Sequence, residues 1–396
     1  MRIRIEKGTA RGCISAPPSK SMAHRLALCA ALSEKSVITG VDFSEDILAT
    51  LDCLRALGAD VEVDGDRVTL GGLCPENFTE NASLFCHESG STLRFFIPLA
   101  LLAGKKIKLY GSSRLLERPQ SVYEELCREK GFYFSRDEEK ITVCGKLTAG
   151  EYSVRGEISS QFITGLIYAL FAAGGKSRIK LVGKVESLSY IKLTVKAFSD
   201  FGAKITLNGQ NEIIIESAPL ENRTLAVEGD YSNAAFLEAL GVVGGEVAVS
   251  GLDEQSLQGD RVYKEIFASC DYDLSDCPDL GPIAFAVAAY RGGGHFVGTR
   301  RLKIKESDRA EAMKTELEKF GINVAVGENT VDISGTLCAP KEPLCGHNDH
   351  RIVMALAVLC TVTGGVIDGA EAVKKSYPDF FSKLETLGIK TEVESL

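Results

Sequence analysis

The chain has 396 residues, of which 45% are hydrophobic and 25% are charged, with a formal net charge of −9. This length favours two domains, each able to bury its own core, and the acidic balance argues against a general nucleic-acid or membrane surface. No apolar run reaches the ~18 residues of a membrane helix, and the N-terminal segment lacks the apolar core of a signal peptide. The twelve cysteines show neither a CxxC pair nor zinc-like spacing, so we expect them to be reduced, buried and cytoplasmic.

A recurring unit organises the chain from beginning to end. In each copy a helix ends at a Gly, and two short strands joined by a turn follow it. The cap glycines are Gly58, Gly131, Gly202, Gly321 and Gly388, which are 73, 71, 119 and 67 residues apart. The long gap is close to two periods, and the segment 261–277 lies where a degenerate copy belongs. We therefore predict six repeats, three in each of two domains.

A second, more apolar helix precedes the first in every copy. These helices are predicted in the segments 19–32, 89–104, 159–175, 230–245, 279–294 and 348–365. Each segment opens with a Ser, Asp or Asn that can cap a helix, and each is apolar on nearly all faces, as expected of a buried helix. The alternating helices and strands predict an α/β fold, and no GxGxxG follows a strand, which argues against a dinucleotide-binding fold.

Unusual polar residues gather where these helices begin. Lys20, Ser21, His24 and Arg25 open the first helix, where cations oppose the helix dipole by ~0.3–1 kcal/mol each. Further groups are Ser89–Arg94, Arg118 with Pro119 as a first-turn residue, Ser159–Gln161, Lys305–Arg309, Asn348–Arg351 and Lys374–Lys375. One interpretation is ordinary capping with exposed charges. The other is a site for two anions, a phosphate and a carboxylate, held by cations, hydroxyls and helix N-termini.

Two single acids, Asp279 and Glu306, could act as a base. The His24 side chain either packs inside its domain or binds a ligand. The chain has no phosphate-binding GxxxxGK[ST] loop and no acid cluster typical of Mg²⁺. A phosphorylated substrate handled without a metal or another cofactor is therefore the implied class.

The same stretches resemble the 5-enolpyruvylshikimate-3-phosphate synthase family. They read SKSMAHR, SGSTLRF, ERP, SSQF, KESDR, NDHR and KKSYPDF, in order, between about residues 18 and 382. The resemblance implies two domains of three β-α-β-α-β-β repeats each, an inside-out α/β barrel, with the active site in the interdomain cleft. The domains would comprise residues 19–228 and residues 1–18 plus 229–396. The implied reaction transfers the enolpyruvyl group of phosphoenolpyruvate to the 5-hydroxyl of shikimate 3-phosphate, and we expect a monomer.

The resemblance also implies a role for each matching residue. Phosphoenolpyruvate would be surrounded by Lys20, Gly90, Arg118, Gln161, Glu306, Arg309, Arg351 and Lys375. Shikimate 3-phosphate would be held by Ser21, Arg25, Ser159, Ser160, Gln161, Ser187, Tyr190, Asp279 and Lys305. The catalytic candidates are Asp279 as the base, and Glu306, Lys20 and Lys375 as groups that move the C3 proton. The chain departs from many members in having Glu88-Ser89-Gly90-Ser91 for Asn-Ala-Gly-Thr, and Arg301 where some have Asn.

Two alternatives remain open. A UDP-N-acetylglucosamine enolpyruvyl transferase would share the fold and the donor, but that family is expected to carry a Cys near the donor-site Arg-Pro, and SSRLLERP has none. A repeat-built scaffold that binds nucleic acid would need a basic stripe and aromatic platforms. Because the candidate ligand groups are divided between the two predicted domains, we also predict that the domains close around the ligands.

Overall fold

The structure is a computed structural model that describes residues 1–394. It contains two compact units. The inserted unit is Lys20–Val227, and the terminal unit combines Met1–Ser19 with the chain from Glu228 onward. These boundaries lie one residue away from the predicted ones. Each unit has its own core of buried apolar side chains.

The helices and strands are numbered along the whole chain. The helices are α1 Lys20–Leu32, α2 Glu45–Ala56, α3 Gly90–Ala100, α4 Ser113–Glu117, α5 Ser121–Lys130, α6 Ser160–Ala172, α7 Leu188–Asp200, α8 Tyr231–Val242, α9 Tyr263–Ser269, α10 Gly281–Arg291, α11 Arg309–Lys319, α12 His350–Thr363 and α13 Phe380–Thr386. The strands are β1 Arg2–Ile5, β2 Arg11–Ser15, β3 Ser36–Thr39, β4 Asp60–Asp64, β5 Arg67–Gly71, β6 Ser83–Phe85, β7 Ile107–Tyr110, β8 Tyr133–Arg136, β9 Lys140–Cys144, β10 Glu151–Arg155, β11 Lys176–Val182, β12 Ile205–Asn208, β13 Glu212–Glu216, β14 Thr224–Ala226, β15 Glu246–Ser250, β16 Asp271–Asp273, β17 Gly293–Val297, β18 Ile322–Val326, β19 Thr330–Gly335, β20 Leu344–Cys345, β21 Gly365–Asp368 and β22 Thr391–Glu394.

The inserted unit repeats one sheet pattern three times along its described residues. The strand orders are β14-β3-β5-β4, β6-β7-β9-β8 and β10-β11-β13-β12. In each sheet a parallel pair continues into an antiparallel hairpin, as in β6, β7, β9 and β8. The apolar helices α1, α3 and α6 are almost wholly buried, because their side chains are apolar on nearly every face.

The terminal unit has the same pattern in one sheet and departs from it in two others. One sheet is β16-β17-β19-β18, and in β20-β21-β1-β22 the N-terminal strand β1 lies antiparallel between β21 and β22. Within residues 1–394, β15 pairs only with β2. Four copies therefore have the predicted hairpin. The degenerate copy lacks it and takes its second strand, β2, from the N-terminal segment, and in the last copy β22 pairs with β1 in place of a neighbouring strand.

The cap glycines have the predicted conformation. Their φ angles lie between 69° and 92°, in the left-handed region that glycine adopts without steric cost. In the degenerate copy the C-cap of α9 is instead Cys270, which has φ 50°. A non-glycine cap made this copy hard to find in the sequence.

The cysteines correct one expectation. All twelve are free thiols, but Cys13, Cys338 and Cys345 are exposed, and Cys74 and Cys144 are partly exposed. The scattered spacing indicated the absence of disulfides and could not indicate burial. Among the residues described, none of the helices is long and apolar enough to cross a membrane.

Candidate active site

Lys20 lies in the first turn of α1 and is not an exposed charge. Its Nζ is 2.7 Å from Asp46 Oδ2, and Asp46 lies in the first turn of α2. Only 15% of the Lys20 side chain and 12% of the Asp46 side chain are exposed. The carboxylate therefore offsets the unfavourable position of Lys20 at the positive end of α1.

Arg25 is a buried cation whose hydrogen-bond partners are neutral. Its Nε donates to Thr194 Oγ1 at 3.0 Å, and its Nη atoms donate to Ser21 O at 2.6 Å, Tyr190 O at 3.1 Å and Thr164 Oγ1 at 3.5 Å. No carboxylate of the described chain is among its partners, and burial lowers its pKa. A guanidinium held in this way is suited to an anionic ligand. The structure thus brings Ser21, Arg25 and Tyr190 together, with two threonines that the sequence did not single out.

Gly90 and Arg118 are in direct contact. A Cβ on Gly90 would lie 2.6 Å from Arg118 Nη1 and 2.9 Å from its Cζ. Only glycine lets the guanidinium approach the first turn of α3 this closely. Arg118 itself follows α4, and α5 begins at Ser121, so Pro119 lies outside the helix and not in its first turn as predicted.

A polar network joins the beginnings of α3 and α6. Ser159 caps α6 by accepting from Gln161 N at 3.3 Å, and the Gln161 amide contacts Arg94 Nη1 at 2.7 Å and Ser91 Oγ at 3.0 Å. Arg94 is 2% exposed and lies 4.7 Å from the centre of the Phe162 ring. Arg94 therefore holds the Gln161 side chain in place. The sequence placed Arg94 among the polar residues at the beginning of α3 but did not predict this contact.

The other predicted residues of this unit are also buried. Ser160 is in the first turn of α6, and Ser187 immediately precedes α7 with a left-handed φ of 56°. Such a conformation is uncommon for a residue other than glycine and often marks a functional site.

His24 packs inside the unit. It is 1% exposed, and its Nδ1 is 2.8 Å from Thr50 Oγ1, which is 2.7 Å from Thr92 Oγ1. Burial, with the charges of Lys20 and Arg25, holds its pKa well below the usual range. His24 is therefore neutral, and of the two alternatives the packing role is observed.

Arg309 is the centre of the polar cluster in the terminal unit. It is 1% exposed and binds three carboxylates at 2.8 Å: Asp349 through Nε, Asp279 through Nη1 and Glu306 through Nη2. These carboxylates raise its pKa although burial opposes this. Asp349 also caps α12. The sequence predicted this cap but not the contact between Asp349 and Arg309.

Asp279 is surrounded by cations. Its carboxylate lies 2.8 Å from Arg309, 3.0 Å from Lys305 and 3.4 Å from Arg351. Burial opposes its ionisation, but Arg351, Lys305 and Arg309 together hold its pKa well below the usual range. Burial lowers the pKa of Lys305 in turn, against the attraction of Asp279.

The prediction that Asp279 caps its helix is wrong. The N-cap of α10 is Leu280, and Asp279 belongs to a short 3₁₀ turn, Pro278–Leu280. It is not an isolated acid either, because Asp260 is close enough to affect its charge. Asp260 is 3% exposed, and burial together with Asp279 raises its pKa to about 6.

Lys375 is fixed by the turn before α12. Its Nζ is 2.6 Å from Asn348 O and 2.7 Å from Asn348 Oδ1. Arg351, in the first turn of α12, donates to Asp279 O at 3.2 Å. The structure therefore brings Asp279, Lys305, Glu306, Arg309 and Arg351 into one cluster, with Lys375 on the adjoining turn.

Comparison with known proteins identifies the family. A family model described as EPSP synthase (3-phosphoshikimate 1-carboxyvinyltransferase) matches residues 6–270 and 267–384. A protein of Clostridium kluyveri named 3-phosphoshikimate 1-carboxyvinyltransferase is 38% identical, covering 98% of this chain and 97% of its own. The chain belongs to the EPSP synthase family. A relative of the same name from Clostridium perfringens is 36% identical, with 98% of each chain covered.

Solved structures of EPSP synthase-like proteins share the fold. The EPSP synthase of Acinetobacter baumannii has a TM-score of 0.79 at 22% identity, over 99% of this chain and all of that one. The enolpyruvyl transferase NikO of Streptomyces tendae has a TM-score of 0.75 at 13% identity, over 99% and 98%. The predicted α/β fold of repeated units is confirmed.

Proposed function

We propose that the chain is a 3-phosphoshikimate 1-carboxyvinyltransferase that transfers the enolpyruvyl group of phosphoenolpyruvate to the 5-hydroxyl of shikimate 3-phosphate and releases phosphate. The activity belongs to aromatic amino acid biosynthesis. Within an EPSP synthase family member, the observation that carries the proposal is Arg25, a buried guanidinium with only neutral partners. The substrate phosphate would supply the missing negative charge.

The inserted unit supplies groups suited to a phosphorylated acceptor. Arg25 would bind the phosphate, with Ser21 and Tyr190 beside it, and Ser159, Ser160, Gln161 and Ser187 would bind its oxygens. Lys20, Gly90 and Arg118 would meet phosphoenolpyruvate. The close contact between Gly90 and Arg118 supports this, because it leaves a guanidinium at the N-terminal turn of α3, where backbone N–H groups also favour an anion.

The terminal unit supplies the remaining donor groups and the base. Phosphoenolpyruvate would bind Arg309, Arg351 and Lys375. Since the Arg309 guanidinium already binds three carboxylates, an incoming anion would displace one of them. The Asp349 side chain is fully buried, whereas those of Glu306 and Asp279 are 19% and 18% exposed, and we propose that Glu306 is the one displaced. The freed Glu306 would then be available to move a proton.

The reaction proposed is an addition followed by an elimination. Asp279 would accept the proton of the 5-hydroxyl as its oxygen adds to C2 of phosphoenolpyruvate, while C3 accepts a proton. The tetrahedral intermediate then loses phosphate and a C3 proton, with Lys20, Glu306 and Lys375 as the groups that move it. Asp279 is a weak base while three cations neutralise it. Anion binding to the same cations would raise its pKa towards the range that general-base catalysis requires.

The proposal is tested by phosphate release from phosphoenolpyruvate with either of two acceptors, shikimate 3-phosphate or UDP-N-acetylglucosamine. We expect release with shikimate 3-phosphate only, and unchanged release in the presence of a chelator. Release with the UDP-sugar alone would establish the alternative transferase, and an absolute requirement for Mg²⁺ would contradict the metal-free proposal.

We also propose that the enzyme is monomeric and cytoplasmic. Light scattering coupled to size exclusion measures the first property, and fractionation of the source cells measures the second. A stable dimer would contradict the monomer.

A further inference from the structure

Glu316 is a buried carboxylate that has no part in the steps above. It lies on α11, is 0% exposed, and accepts three hydrogen bonds: from Cys345 N at 2.8 Å, His347 Nε2 at 2.8 Å and Lys319 Nζ at 2.9 Å. Burial opposes its ionisation, but these three donors lower its pKa. An ionised carboxylate only accepts hydrogen bonds, so His347 Nε2 carries a proton and donates it.

One of these donors, His347, belongs to the turn that leads into α12, and a second, Cys345, is the last residue of β20, two residues before it. Within this turn His347 has φ 48° and Asn348 has φ 52°, so two consecutive non-glycine residues are left-handed. Asparagine tolerates this conformation better than most residues, but such a pair persists only where surrounding contacts hold it. The Glu316 carboxylate binds this turn through the His347 side chain, and it binds the end of the preceding strand β20 through the Cys345 N–H.

The same turn fixes residues of the proposed donor site. Asn348 holds Lys375 Nζ through two oxygens, at 2.6 and 2.7 Å. The next residue, Asp349, caps α12 and binds Arg309 Nε at 2.8 Å. A change in the left-handed pair would therefore move both Lys375 and the carboxylate that orients Arg309.

We infer that Glu316 is a positioning residue for the donor site. It holds the His347–Asn348 turn in its left-handed conformation and so places Lys375 and the first turn of α12 for phosphoenolpyruvate. This inference rests on the proposed function. It assigns Glu316 no contact with either substrate.

The first test compares Glu316→Gln with Glu318→Gln. Glu318 lies on the same helix and is exposed, so its substitution removes one charge without disturbing the turn. We expect Glu316→Gln to raise the KM for phosphoenolpyruvate roughly 10- to 100-fold, as small displacements of positioned groups do, with little change in the KM for shikimate 3-phosphate. Glu318→Gln should match the wild type.

The outcomes separate this inference from the proposed function. If the wild type is active and both glutamine variants have its KM for phosphoenolpyruvate, Glu316 has no positioning role. If the wild-type chain itself releases no phosphate from the two substrates, the proposed function fails first.

A second pair of variants avoids the buried position. The His347 side chain is 29% exposed, so its replacement leaves the core intact. His347→Ala removes the donor to Glu316 and should raise the KM for phosphoenolpyruvate, whereas His347→Gln, whose amide N–H reaches a similar distance, should restore most of it. An unchanged KM in His347→Ala, at a wild-type unfolding midpoint, would overturn the inference.

Discussion

The proposed donor contact of Arg118 depends on the absence of a side chain at Gly90. In Gly90→Ala the new methyl group would collide with the Arg118 guanidinium, whose atoms lie 2.6 to 2.9 Å from the Cβ position. The guanidinium must shift, so we expect the KM for phosphoenolpyruvate to rise by about tenfold or more. The affinity for shikimate 3-phosphate, measured by calorimetry, should change little.

A matched control is Gly150→Ala. A Cβ there meets only Tyr152 Cε2, at 3.9 Å, which is ordinary van der Waals contact. Equal KM values for the two alanine variants would show that Arg118 does not bind the donor.

We expect Arg25 to lower the stability of the ligand-free protein and to raise its affinity for shikimate 3-phosphate. Arg25→Met removes a buried charge that has only neutral partners, so the free energy of unfolding without ligand should be unchanged or higher. Binding of shikimate 3-phosphate should weaken by ~1.5–3 kcal/mol, the loss of a charge-assisted hydrogen bond. Calorimetric titration measures the affinity, and thermal unfolding measures the stability.

The control for Arg25 is Arg55→Met in the same unit. Arg55 is 41% exposed and pairs with Asp52 on the surface of α2. Should both variants bind shikimate 3-phosphate as the wild type does, Arg25 is not its phosphate ligand.

At the scale of single elements, the 3₁₀ turn before α10 carries the proposed base. Asp279→Asn keeps the shape of the turn but removes the group that would accept the hydroxyl proton. We expect kcat to fall ~10²–10⁴-fold. Binding of phosphoenolpyruvate should be kept or tightened, because Lys305, Arg309 and Arg351 lose a competing carboxylate. A variant with wild-type kcat and weakened donor binding would assign Asp279 to binding instead.

The neighbouring 3₁₀ turn, Gly259–Val262, should make stability depend on pH. Asp260 has a pKa of about 6, raised from 3.8 by burial and by Asp279, against the opposing effects of Arg351 and Ser232. The folded state thus holds this proton more tightly than the unfolded state. The contribution of Asp260 to stability is complete below pH 3.8 and is lost as the pH rises through about 6.

Asp260→Asn should therefore stabilise the protein mainly at neutral pH. We expect the free energy of unfolding to rise by up to about 3 kcal/mol at pH 8, with a smaller gain at pH 5. Denaturant unfolding at the two pH values measures the difference. Asp379→Asn, at an exposed position of the same unit, is the control, and an equal gain for Asp260→Asn at both pH values would exclude the titration.

Most elements could be predicted from the sequence because local rules set them. Helix-length segments that are apolar on nearly all faces predicted the buried helices, and glycines predicted the ends of five other helices, where the structure has a positive φ. The C-cap of the helix in the degenerate copy is Cys270, which carries no such signal, and the Leu280 cap of α10 depends on a 3₁₀ turn that local pattern does not specify.

Fewer of the contacts in the candidate site could be predicted from the sequence. Helix beginnings and the family resemblance located Arg25, Asp279 and Arg309. That Arg25 has neutral partners and Arg309 three carboxylates depends on residues up to 169 positions away. The Glu316–His347 contact, across 31 residues, likewise has no local signal. The cleft between the domains and their closure stay predictions.

On the scale of the whole molecule, each unit has its own hydrophobic core and should unfold as its own cooperative transition. A ligand stabilises the unit that binds it: the free energy of unfolding rises by ~2.7 kcal/mol at a ligand concentration of 100 Kd, and the unfolding temperature of that unit rises with it. The predicted contacts of shikimate 3-phosphate lie mainly in the inserted unit. We therefore expect this substrate alone to raise the temperature of one calorimetric transition, that of the inserted unit. Addition of an unreactive phosphoenolpyruvate mimic should raise the temperature of the other.

Arg25→Met assigns the two transitions. Because Arg25 belongs to the inserted unit, its substitution should reduce the shift caused by shikimate 3-phosphate by about half or more, and it should leave the position of the second transition unchanged. Arg55→Met should retain the shift. If shikimate 3-phosphate raised both transitions equally in the absence of the mimic, the acceptor would bind both units with similar strength, and the assignment of its contacts mainly to the inserted unit would be wrong.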